Sequence, residues 1–208
     1  MKANRERFAA LLRRLGATGD PLPTADDILA AYAAPERTYH GIAHLDDCLT
    51  QLDQAVTDAA HRDQVEAALW FHDVVYDSRS DDNERRSAAW GRRLCQKLGV
   101  PAAIAAEIER LVGLTDHRAP PTDASGRLLC DIDLSILGRP PEQFDAYDRA
   151  IRGEYASVPE EAYRVGRRRV LEGLLARGAL YGTEQFRQRY EATARANLRR
   201  ALDRLGPP

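Results

Sequence analysis

Apolar side chains recur along this chain at steps of three and four residues, the spacing that lines one face of an α-helix. Phe8, Leu11, Leu12 and Leu15 set the first such face. Gly16 and the Pro-Leu-Pro-Thr segment at 21–24 interrupt it, and Thr24 is a predicted N-cap for a second helix whose first turn carries Asp26 and Asp27 and which ends near Pro35. A third helix is predicted from about His40 to Ala60 on Ile42, Leu45, Cys48, Leu49, Leu52 and Val56. A fourth is predicted from about Arg62 to Val75 on Val65, Ala68, Leu69, Trp70 and Phe71.

The polar loop Ser78–Glu84 ends in an N-cap signal, and the next helix reaches about Leu98. Gly99 and Pro101 separate it from a helix over Ala102–Leu114, and the breaker-rich segment His117–Gly126 forms a second loop. The run RLLCDIDLSIL, Arg127 to Leu137, is short and apolar enough for a strand, but its helical surroundings favour a buried helix. Prolines 140 and 141 open another helix, Pro159 opens one to about Ala176, and Thr183 caps the last, which carries Phe186, Tyr190, Ala194, Leu198 and Leu202. With no long alternating pattern, no repeat and no convincing linker, the expectation is one all-α domain, residues 1–208, of roughly ten helices.

Charge adds an exclusion. The 208 residues carry 30 Lys+Arg against 32 Asp+Glu, a net charge of −2, which gives no case for bulk nucleic-acid binding. Most of the basic side chains are Arg, suited to phosphate or carboxylate recognition. Cys48, Cys95 and Cys130 contain no CxxC pair and read as buried, reduced thiols. The charged amphipathic N-terminus lacks the apolar core of a signal peptide, and no stretch approaches the ~20 apolar residues of a membrane span. The expected setting is cytoplasmic, with no membrane partner.

The candidate chemistry lies in polar residues within apolar patterns. His40 and His44 share a helix face, His72 and Asp73 follow an apolar run, His117 falls at a helix end, and Asp131 and Asp133 sit in the apolar run 127–137. A buried carboxylate needs a partner, and a divalent cation is one. Imidazole with carboxylate suits Mn²⁺, Fe²⁺, Zn²⁺, Co²⁺ or Ni²⁺. Each piece also has a plainer reading, as a hydrogen-bonded core pair, a helix cap or an arginine partner; the conjunction is what points to a metal.

The order His44, then His72-Asp73, then Asp133, within the words YHGIAHLDDCL, ALWFHDVVYD, DNERRSA, DIDLSILG, IRGEY and ARANL, resembles the HD superfamily of metal-dependent phosphohydrolases, in particular a subfamily of small all-helical bacterial proteins. The resemblance runs from about Tyr39 to Leu202. It implies an HD-like helical bundle in which His44, His72, Asp73 and Asp133 ligate a divalent ion (Mn, Fe, Ni, Co, Zn or Mg), with Asp131 the alternative last ligand. His40, His117 and Asp131 would serve a second ion or support the first. The implied activity is hydrolysis of a small phosphorylated compound, a nucleotide among the candidates, by metal-activated water. Asp73 would orient that water, Glu84 would transfer a proton, and Arg37, Arg79 and Arg152 would meet the phosphate. Tyr76 is left between core packing and a phosphate contact. Two competing functions remain: a non-catalytic metal- or nucleotide-binding sensor, and a di-iron oxygenase that would need the extra ligand His117.

Overall fold

The computed structural model describes residues 2–56 and 59–206. Among these residues it contains ten α-helices and no strand. The chain divides into two compact units, Met1–Asp133 and Leu134–Pro208.

The first unit holds α1 (Arg5–Arg14), α2 (Leu22–Tyr32), α3 (Ile42–Gln54), α4 (Ala59–Phe71), α5 (Asn83–Lys97), α6 (Ala102–Gly113) and α7 (Ala124–Asp133). A 3-10 turn, Leu114–Asp116, extends α6. α4 is the axis: α1, α3, α5, α6 and α7 all pack on it. Val65, Ala67, Ala68, Leu69, Trp70 and Phe71 are therefore all fully buried, as a helix covered on every side requires. Phe8 of α1 meets the edges of Trp70 and Phe71, at ring distances of 5.2 and 5.9 Å. Buried Glu66 on the same helix is held by Arg7 Nε at 2.6 Å, so its charge is paired.

Three boundaries differ from the sequence expectation. α2 starts at Leu22, and Thr24 lies buried inside its first turn instead of capping it; prolines 21 and 23 preset the backbone angle that opens the helix. α3 begins at Ile42, after Gly41, and ends at Gln54; the expected extension to Ala60 crosses residues 57 and 58, which lie outside the described residues. α4 stops at Phe71, not Val75, so His72 and Asp73 stand in the turn that leaves it. The run 127–137 is helical, as α7 followed by a 3-10 turn, Leu134–Gly138. At the end of α5, Gly99 adopts φ +77, and a Cβ there would lie 2.2 Å from Thr18 Oγ1, so the close return of the chain needs glycine.

The second unit contains that 3-10 turn with α8 (Pro141–Glu154), α9 (Glu160–Leu175) and α10 (Glu184–Arg204). α10 packs on the other three elements. A Cβ on Gly138 would lie 2.4 Å from Tyr190 Cβ, which fixes glycine where the turn crosses α10. Asn197, fully buried on α10, donates to the carbonyls of Leu137 and Arg139 at 2.8 and 2.9 Å, and Tyr181 Oη donates to Leu134 O at 3.0 Å. These bonds satisfy carbonyls that the short turn leaves without helical partners. Among the described residues no helix is long and apolar enough to cross a membrane.

Candidate metal centre

Three segments of the first unit bring their polar side chains together. α3 supplies His44 in its first turn, the turn after α4 supplies His72 and Asp73, and the last residue of α7 is Asp133. Because the chain leaves helical geometry at His72, two consecutive side chains can serve one point. Three contacts hold that turn. His72 Nδ1 lies 2.9 Å from Leu69 O, and a carbonyl only accepts, so Nδ1 carries a proton and the neutral ring turns a bare Nε2 inward. The Asp73 N–H donates to Tyr32 Oη at 3.2 Å. Arg37 donates to the carbonyls of His40, Asp73 and Val74, while its guanidinium stacks over the Tyr32 and Tyr76 rings.

The inward atoms are closely spaced. His44 Nε2 is 3.0 Å from His72 Nε2, 3.3 Å from Asp133 Oδ1 and 3.7 Å from Asp73 Oδ2. His72 Nε2 is 3.1 Å from Asp73 Oδ2 and 3.7 Å from Asp133 Oδ1. Nitrogen and oxygen ligands about 2.1 Å from a single ion stand about 3.0 Å apart at right angles and about 3.4 Å apart at the tetrahedral angle. Three of the five separations, 3.0, 3.1 and 3.3 Å, fall in that range, and the two of 3.7 Å correspond to a wider angle at the ion. Asp73 Oδ2 is buried and, despite its closeness to His72, has no hydrogen-bond partner. A buried carboxylate oxygen left in this way calls for a cation.

The electrostatics agree. Burial opposes a charged His72, but Asp73 and Asp133 outweigh it and push the imidazolium up to about 9. Burial likewise opposes charge on Asp73 and Asp133; His72, with His40, holds Asp73 below the usual carboxylate range, and His117, His44 and His72 hold Asp133 well below it. The group is thus a negative pair with one imidazole, that of His72, that takes up positive charge.

The remaining candidates fall into distinct places. His117 is the only non-glycine residue with positive φ among the described residues, at +52. Its Nε2 lies 2.8 Å from Asp133 Oδ2, so Asp133 faces His44 and His72 with one oxygen and His117 with the other. His40 stacks on Tyr76 at 4.5 Å and lies edge-on to Tyr39 at 4.9 Å. Asp131 is buried on α7 outside the donor group, since residues two apart on a helix point to opposite sides. Glu84, in the first turn of α5, is half-buried; burial raises its pKa, and the Asp73 and Asp116 carboxylates add to the rise. Arg79 is exposed and pairs with Asp77 at 3.2 Å. Arg152 belongs to the second unit, where it binds Glu160 and the carbonyls of Tyr155 and Val158 and lies over the Tyr163 ring.

One member went unread in the sequence. His44, Cys48, His72 and Asp133 offer donor atoms that all lie within 4.8 Å of one another, a group that could hold a metal ion. Cys48 follows His44 by four residues, and that spacing was the available signal. The fold and this group define the class: an all-helical protein with a buried His/Cys/Asp cluster fit for a metal. No protein-family model, curated protein or solved structure matches the chain.

Proposed function

We propose that the chain is a divalent-metal phosphohydrolase acting on a small phosphorylated compound, nucleotides included. The observation that supports this reading is the convergence of His44, His72, Asp73 and Asp133 on one point, with Asp73 Oδ2 buried and lacking a hydrogen-bond partner. The resemblance of these four positions to the HD phosphohydrolase pattern supplies the reaction class. These residues would hold the ion, with His117 fixing Asp133 through its outer oxygen. When bound, a divalent ion supplies Lewis acidity toward a water and a phosphoryl oxygen.

The chain's own groups do the rest. Asp73 Oδ2 accepts a hydrogen bond from the attacking water and aims it. Glu84, whose pKa burial raises, keeps a proton closer to neutral pH than an exposed carboxyl does and delivers it to the leaving oxygen. Arg37 positions the His72-Asp73 turn by its backbone bonds. Of the three arginines, Arg79 is the one suited to meet phosphate, because giving up an exposed pair with Asp77 costs little.

The test is elemental analysis of untagged protein, followed by hydrolysis assays on nucleotides and sugar phosphates with the metal found. Wild type is expected to carry metal and release phosphate, and His72→Ala/Asp73→Ala to do neither. Glu84→Gln is expected to keep its metal while kcat falls by roughly 10²–10⁴. Metal-loaded wild type that leaves every phosphate ester intact overturns the hydrolase reading.

A further inference from the structure

We infer that the Cys48 thiol is a fifth donor to this centre and biases it toward thiophilic ions of the zinc, cobalt and ferrous class over manganese and magnesium. This rests on the metal reading of the site given above and adds to it the chemical class of the ion. Cys48 lies one turn beyond His44 on α3, and its Sγ stands beside the His44 ring, 3.6 Å from Nε2 and 3.8 Å from Nδ1. The same sulfur falls within the 4.8 Å group that includes His72 and Asp133.

The other two thiols show what an ordinary buried cysteine does in this fold. Cys95 is fully buried on α5, and burial pushes its thiol up to about 12. Cys130 donates to Leu114 O at 3.5 Å. Neither belongs to the donor group.

The second observation is independent of the thiol. Asp73 is 9% exposed, and its Oδ2 has no hydrogen-bond partner while facing His72 Nε2 at 3.1 Å. The cluster is therefore arranged around positive charge whether or not Cys48 takes part. Coordination by Cys48 breaks the S–H bond, releases the proton to solvent and forms a sulfur–metal bond, with no change of oxidation state. Thiolate ligands favour soft and borderline ions, whereas magnesium and manganese favour oxygen. With Cys48 the donor set would be two imidazoles, two carboxylates and a thiolate.

The experiment is cobalt(II) titration of chelator-treated, full-length protein, read by absorption. Wild type is expected to show visible d–d bands and a near-ultraviolet thiolate-to-cobalt band. Cys48→Ser is expected to keep the visible bands and lose the near-ultraviolet one, while Cys95→Ser and Cys130→Ser keep both. Preference for zinc over manganese is expected to fall at least about 10-fold in Cys48→Ser, a loss that removing even an outer-shell partner produces. X-ray absorption of zinc-loaded wild type, which depends on no variant's folding, is expected to show sulfur at about 2.3 Å. Visible bands without the near-ultraviolet band, and only nitrogen and oxygen around zinc, overturn the role of Cys48 and leave the metal site standing. Wild type that takes up neither cobalt nor zinc overturns the metal site and Cys48 with it.

Discussion

His44 and His72 present their Nε2 atoms to each other at 3.0 Å. The His72 ring bonds Leu69 O through Nδ1, so its neutral form offers a lone pair toward His44. Two imidazole lone pairs at that distance repel unless a proton or a metal ion lies between them. Binding of cobalt or zinc is therefore expected to stabilise the fold. At about 100 times Kd the gain is about 2.7 kcal/mol, or roughly 5–10 °C in Tm for a chain of this size. Thermal melts with and without metal check this, and His72→Ala/Asp73→Ala is expected to show no shift.

Without metal, His72 is a proton site. Against its burial, Asp73 and Asp133 push its imidazolium from an ordinary 6.5 up to about 9 in the folded chain. A raised pKa contributes stability that is fully present below the unfolded value and is lost as pH rises through the folded one. Chelator-treated protein is thus expected to lose stability from pH 6.5 toward 9. Asp73 and Asp133 are shifted down, so their contribution is present above the ordinary carboxylate value of 3.8 and is lost as pH falls below it. Urea denaturation across this range checks both limbs. Chelated wild type as stable at pH 9 as at pH 6.5 contradicts the assignment to His72, and His72→Ala is expected to flatten the alkaline limb.

Arg37 spans the carbonyls of Asp73 and Val74 in the turn after α4 and that of His40 before α3. Lysine is a single point cation and cannot reproduce that fork. Arg37→Lys is expected to destabilise the chain by about 2 kcal/mol, in the range for hydrogen bonds to a charged group, and to weaken metal binding as the His72-Asp73 turn loosens. Denaturant unfolding and metal titration of the same variant measure the two effects.

In the second unit, Asn197 is the corresponding device. Asn197→Leu keeps the branched side-chain shape but removes both N–H donors, leaving the carbonyls of Leu137 and Arg139 without them. A loss of about 2 kcal/mol or more in unfolding free energy is expected, with helical content unchanged by circular dichroism. A variant as stable as wild type would show that solvent reaches those carbonyls.

Gly138→Ala tests close packing in place of hydrogen bonding. Its Cβ would meet Tyr190 Cβ at 2.4 Å and Tyr190 Cα at 2.9 Å, and the backbone atom cannot swing aside. Destabilisation of about 1–3 kcal/mol is expected in the same unfolding assay.

The helices were legible because their signal is local. Faces such as Phe8, Leu11 and Leu12, or Leu45, Leu49 and Leu52, repeat at the helical period whatever packs against them. The residue types at the site were legible for a related reason: histidine and aspartate within apolar runs are out of place. Boundaries were less so. Val74 and Val75 continue an apolar pattern, and α4 stops before them because Tyr32 and Arg37, more than thirty residues earlier, hold the next turn in another conformation. Cys48 shares a buried face with Leu45 and Leu52, and its four-residue spacing from His44 is the one feature of the sequence that sets it apart from a packed thiol. By itself the sequence determined helical periodicity and the supply of ligand-type side chains, both properties of single segments. Only the tertiary structure decided which of those side chains meet, because the spacing of His44, Cys48, His72 and Asp133 depends on how α3, α4 and α7 pack, and packing distances are set by side-chain volumes far apart in the chain.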